Sequence, residues 1–150
     1  MTIPSEPLAG IRVLALEQAV AGPLCTRHLA DLGADVVKIE RPGGGDFARR
    51  YDRAVNGLSS YFVWLNRGKR SLTLDVKHPQ ANDILALLIE RSDVLVQNLG
   101  PGAIDRLGFA PVTCVLAFRA WWCARSRATA EGGPMSRKRR STCCSRARPA

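Results

Sequence analysis

Gly10-Ile11-Arg12-Val13-Leu14-Ala15-Leu16 opens the pattern that decides the fold, and Val36-Val37-Lys38-Ile39 closes it. The first is a short apolar run entered from a glycine, the mark of a buried strand. A loop from Gln18 to Gly22 follows, and Pro23 stands where a helix places its first residue. Leu24, Leu29 and Leu32 share one helical face, and Gly33 supplies the glycine that ends such a helix. Cys25, among these apolar neighbours, reads as a small buried hydrophobe, and His28 as a surface or packed side chain. Strand, helix and strand within roughly 30 residues make a βαβ unit, which favours a parallel sheet.

The same alternation continues outward. Arg41-Pro42-Gly43-Gly44-Gly45-Asp46 is a loop, and Tyr61 to Leu65 is an aromatic-rich apolar stretch whose type the pattern leaves open. Ser71 to Asp75 alternates with period two, as a strand does. Pro79 opens a helix with Ile84, Leu85, Leu87, Leu88 and Ile89 on a broad apolar face, stopped by Ser92 and Asp93. Val94-Leu95-Val96 is a further buried strand, and Ala103 to Leu107 a short helix closed by Gly108. After Phe109 no window fits a helix or a strand over more than one turn. The expected architecture is α/β, a Rossmann-like parallel sheet with flanking helices and a disordered basic tail. That tail would leave the edge of the Val94–Val96 strand uncovered.

Composition divides at the same point. The 150 residues are 46% hydrophobic and 23% charged, ordinary globular values that exclude wholesale disorder. The net charge of +9 would suggest an anionic partner, but residues 1–109 carry only +1 and residues 110–150 carry +8. Four of the five cysteines, Cys114, Cys123, Cys143 and Cys144, also fall in the last 41 residues. The basic character therefore describes a tail and not the domain. No apolar run approaches the ~20 residues of a membrane span, and Met1 to Glu6 lacks the basic and apolar regions of a secretory signal. A cytoplasmic location is expected.

Several polar residues fall at the carboxyl ends of the expected strands, where open parallel sheets bind ligands. These are Arg41, then Asp75 and Lys77, then Asn98. Arginine offers a planar fork for phosphate and a face for stacking, and lysine a mobile point charge. Asn98-Leu99-Gly100-Pro101-Gly102 leads into a helix N-terminus suited to an anion. Each also has a plain reading as a solvated surface residue. No P-loop and no G-x-G-x-x-G follows a strand, which disfavours a nicotinamide dinucleotide. Cys143-Cys144 lacks zinc-ligand spacing, and Arg137-Lys138-Arg139-Arg140 has no interleaved aromatics to argue for nucleic acid.

Three stretches together carry something more specific: Pro7 to Leu14 with Ala21-Gly22-Pro23, Leu32 to Arg41, and Asn98 to Phe109. With Asn66-x-x-Lys69-Arg70-Ser71 and Leu74-Asp75-x-Lys77 between them, the chain from Pro7 to Phe109 resembles the family III CoA-transferases. That family embraces formyl-CoA transferase, the L-carnitine and bile-acid CoA-transferases and α-methylacyl-CoA racemase. The resemblance implies a Rossmann-like domain that binds coenzyme A at its strand ends, within a homodimer of two interlocked chains. It implies that Val20 and Ala21 line the CoA site and that Arg41 meets the adenine and phosphate end. Leu74, Asp75, Val76 and Lys77, with Asn98, Leu99 and Gly100, would border nucleotide and pantetheine, and Arg106 would be another phosphate partner. The substrates implied are an acyl-CoA and a carboxylic acid, with no permanently bound cofactor, no metal, no nucleic acid and no membrane. In transferase members a carboxylate attacks the acyl-CoA, giving an enzyme anhydride and then an enzyme–CoA thioester. The resemblance places that aspartate beyond residue 150, so the chain by itself is expected to be inactive.

The resemblance divides the chain into 1–111, the first part of a CoA-binding domain, and 112–150, a Cys/Arg-rich tail. Tryptophan has one codon, so regrouping each codon's last base with the next two turns Trp121-Trp122-Cys123 into two successive valines. The same frame turns Cys143-Cys144 into a leucine, and its other readings permit text familiar from the family. The tail is therefore expected to be translated out of frame from near Pro111. That frame encodes no His opposite Ser141, where racemases carry one, so the transferase reading leads and the racemase is its alternative. A second alternative, from another class, is a nucleotide- or nucleic-acid-binding protein that uses the basic tail.

Overall fold

The structure, a computed structural model, describes residues 6–109 and the strand at 122–125. Its elements are β1 (Arg12–Leu16), α1 (Ala21–Asp31), β2 (Asp35–Glu40), a short 3-10 helix (Phe47–Arg50), α2 (Ser60–Asn66) and β3 (Arg70–Thr73). There follow α3 (Ala81–Glu90), β4 (Val94–Gln97), α4 (Ala103–Arg106) and β5 (Trp122–Arg125). All five strands are parallel, in the order β3-β2-β1-β4-β5. The expected parallel α/β architecture is present.

Alternate residues of β1 explain the two layers. Leu14 and Leu16 turn to one face, where Ile39, Leu95, Leu85 and Ile89 of α3, Ile104 of α4 and Phe109 form a core. Val13 and Ala15 turn to the other with Val36, Val96 and Ala34, against Leu29 and Ala30 of α1. A central strand covered on both faces has no place for polar alternation, which is why β1 and β4 read as continuous apolar runs. The edge strand β3 is exposed at all four positions, so the alternation from Ser71 does not create a buried face.

Several local expectations are corrected. The α3 helix begins at Ala81 rather than Pro79, and of its expected apolar face Leu85 and Ile89 are buried while Ile84 and Leu87 are exposed. Pro23 is the third residue of α1, not the first, with Val20 as N-cap. The first turn has no intrahelical use for those N–H groups, so proline is tolerated throughout it. The buried residues of α1 are Gly22, Pro23 and Thr26, while Leu32 lies 45% exposed and Cys25 is exposed. The first turns of the helix pack through these small residues, with Gly22 against Glu17 and Asn98, while Leu29 and Ala30 further along meet the sheet. Finally, the absence of any regular element after Phe109 gives way at Trp122–Arg125, which pairs with β4 from Val94↔Trp122 to Gln97↔Arg125. The edge of β4 presents a row of backbone donors and acceptors, and four residues suffice to pair with it. A segment that short shows no periodicity to read. Arg137–Arg140 and Cys143-Cys144 lie outside the described residues.

Candidate functional site

The chain runs from β1 outward to β2 and β3, then returns to place β4 on the other side of β1. The crossover direction therefore reverses between β1 and β4, and the crevice beyond their carboxyl ends is where such sheets receive ligands. Two loops meet there, Glu17–Val20 after β1 and Asn98–Gly102 after β4. Asn98 joins them: its Oδ1 accepts from the Gln18 N–H at 2.8 Å and its Nδ2 donates to the Gln18 carbonyl at 2.7 Å. Gly22 leaves room for this pair, since a Cβ there would lie 3.0 Å from both Asn98 Nδ2 and Glu17 Cβ.

The sequence-predicted residues fall into groups. Val20 caps α1 and Ala21 begins it, at the mouth of the crevice. Arg41 is exposed beyond β2, its Nε donating to the Gly45 carbonyl at 3.0 Å. Leu74, Val76 and Leu99 turn inward onto the core, whereas Asp75 and Lys77 are exposed. Asp75 caps its own turn by accepting from the Lys77 N–H at 3.0 Å. Gly100 is exposed, and Arg106 projects from α4 beside Gly102, whose left-handed backbone (φ 68°) opens that helix. All lie beyond carboxyl ends of the sheet. Arg41, Asp75 and Lys77 sit on the β2–β3 side and Arg106 on the β4 side, with the Gln18 loop between them.

Sequence reasoning missed what lies beneath. Lys38, at 1% exposure, donates to Asp46 Oδ2 at 2.7 Å and Asn66 Oδ1 at 2.8 Å. Lys69 donates to Glu17 Oε1 at 2.7 Å, to the Pro23 carbonyl and to Asn66. Thr26 completes the Glu17 carboxylate. Burial pulls the Lys69 ammonium below its ordinary pKa; Glu17 opposes that and nearby Lys38 adds to it. Beside them burial pushes the Glu40 carboxyl up, but Arg49, the Asp46 N–H and the Ser71 hydroxyl outweigh it and hold it at about 2. Buried charges persist when paired and hydrogen-bonded, and here each is. The legible signal was Lys38 itself, a charge inside an apolar strand of a doubly covered sheet. Among the described residues no group of three His, Cys, Asp or Glu is placed to hold a metal ion.

The profile of CoA-transferase family III matches residues 8–117. The chain belongs to CoA-transferase family III. It is 47% identical over 106 residues to the formyl-CoA:oxalate CoA-transferase of Bradyrhizobium diazoefficiens, covering 70% of this chain and 25% of that protein. The enzyme of the same name from Rhodopseudomonas palustris is 48% identical over an equal span. Among solved structures, Rv3272 from Mycobacterium tuberculosis superposes with a TM-score of 0.82 at 37% identity, over 91% of this chain and 38% of that one. A CaiB/BaiF family protein from Brucella suis gives 0.77 at 30% identity, over 89% and 36%. The chain spans about a quarter of the length of the curated family III relatives it matches. No helix among the described residues is long and apolar enough to cross a membrane.

Proposed function

We propose that this chain carries the coenzyme A-binding part of an enzyme that moves CoA between an acyl-CoA thioester and a carboxylic acid. The observation that carries the reading is the loop pair at the β1–β4 switch point, tied by Asn98 to Gln18, in a chain of this family. Around it stand the exposed Arg41, Lys77 and Arg106, cations of the kind that hold nucleotide phosphates. Val20 and Ala21, at the start of α1, line the CoA site beside the Gln18 loop. Leu74 and Val76 shape the floor under Asp75 and Lys77. Relatives named formyl-CoA:oxalate CoA-transferase support a transferase ahead of a racemase. In this reading the nucleophilic carboxylate and the interlocked partner chain belong to the rest of the enzyme. The 150-residue chain then binds CoA without exchanging it, in the cytoplasm, and residues 112–150 are the product of an out-of-frame translation.

Binding of the purified chain to immobilised CoA and to duplex DNA, with and without residues 112–150, tests this. Retention on CoA that survives loss of the tail supports it. Salt-sensitive DNA binding that vanishes with the tail, with no affinity for CoA, overturns it in favour of the nucleic-acid reading.

A further inference from the structure

Ala19 has φ of 66°, a left-handed conformation that an L side chain rarely takes, and it lies between Gln18 and Val20 in the loop after β1. Such a conformation persists only where its surroundings over-determine it. Two anchors do so here. Asn98 holds the Gln18 peptide on one side, and on the other Asp46 Oδ1 accepts from the Ala19 N–H at 3.0 Å. Asp46 comes from a loop 27 residues away, is 1% exposed, and is itself fixed on every side. Its Oδ2 receives Lys38 at 2.7 Å, its Oδ1 also caps Ala48, and its own N–H donates to Glu40 Oε2 at 3.0 Å. Gly45, at φ 58°, lets the chain turn in behind Arg41, since a Cβ there would run into the Glu40 carboxylate and Arg49.

We infer that Asp46 is a positioning residue: through the Ala19 peptide it sets the shape of the Glu17–Val20 loop, and so one wall of the CoA site. The inference rests on the CoA-binding reading for its consequence, but not for its geometry. Asp46 touches no ligand in this scheme and acts only through Ala19. It also explains why a lysine is buried in β2. Lys38 holds the Asp46 carboxylate in place while the second oxygen faces the loop.

The test is a mutant cycle on the full 150-residue chain with two readouts, hydrogen exchange at the Ala19 amide and affinity for free coenzyme A. Asp46→Ala should strip the Ala19 amide of protection and weaken CoA binding about tenfold. Ala19→Gly in that background should recover about threefold or more of the loss, because glycine adopts positive φ without a carboxylate to enforce it. Asn56→Gly relieves the other positive-φ residue outside glycine among the described residues, away from Asp46 contacts, and should rescue nothing. If Asp46→Ala does not fold, Lys38→Met/Asp46→Ser replaces it, removing the buried charge with its partner and keeping a hydroxyl cap for Ala48. An Ala19 amide as protected without the carboxylate as with it overturns the inference, and so does equal rescue by Asn56→Gly. If the unaltered chain binds no CoA, the CoA reading fails while Ala19 protection still decides the role of Asp46.

Discussion

Lys38 shows how much a single residue organises in this fold. Its ammonium lies at 1% exposure between Asp46 and Asn66, 5.4 Å from the Phe62 ring. Lys38→Met removes one partner of a buried pair and leaves the Asp46 carboxylate with backbone N–H donors but without its ammonium, which should cost about 3–5 kcal/mol in denaturant unfolding. Glu40 sets a pH dependence. Its folded carboxyl sits at about 2 against an ordinary 4.5, so on acidification the unfolded chain takes up the proton first. Its contribution is complete above about 4.5 and is lost as pH falls towards 2. Glu40→Gln should flatten that limb of the stability curve, and an unchanged acid limb would show that the carboxylate does not titrate as its partners dictate. A charge within Val36–Ile39 is a signal that could point to a buried pair, although the apolar pattern by itself reads only as a strand. Its partners were not legible, because Asp46, Asn66, Glu17 and Lys69 arrive through loops whose paths no periodicity fixes.

Among the elements, β1 and β4 were legible because both faces of a central strand must be apolar, whereas α3 was legible as a helix but buries a narrower stripe than expected, with Leu85 and Ile89 buried and Ile84 and Leu87 exposed. The α1 helix was legible as a helix but not in its orientation. Leu29 meets the sheet as the pattern implies, yet Leu32 is exposed and the fully buried residues are Gly22, Pro23 and Thr26, since the first turn lies against Glu17 and Asn98. Gly22→Ala should therefore act out of proportion to its size. The added methyl meets Asn98 Cγ at 3.1 Å and pushes the amide off Gln18, costing about 1–3 kcal/mol and exposing the Gln18 amide to exchange. Pairing between β4 and β5 makes a second prediction. Removing residues 122–150 uncovers the β4 edge, whereas removing 126–150 leaves the Val94↔Trp122 to Gln97↔Arg125 ladder in place. The shorter chain should give the lower refolding yield and more aggregate in light scattering. Equal yields would mean that β5 adds nothing to the sheet.

Taken whole, the molecule carries a family III fold over about a quarter of the length of its curated relatives, and its site is legible to the degree that topology dictates it. Arg41, Asp75, Lys77 and Asn98 follow strand ends, which a βαβ reading places without coordinates. The tie between Asn98 and Gln18 spans 80 residues and follows only from the position of β4 beside β1. The opposite end of the sheet provides an internal control, where Arg12 pairs with Asp93 and Arg70 with Asp35 around a cavity of about 220 Å³ also lined by Arg91. Hydrogen exchange of the full chain with and without coenzyme A, resolved by peptide, distinguishes the two ends. CoA should slow exchange in residues 17–22, 41–46, 74–77 and 98–106 and leave 10–12 and 91–93 unchanged. Slowing confined to the Arg12–Asp93 end, or none at saturating CoA, would contradict the placement of the site at the carboxyl ends of the strands.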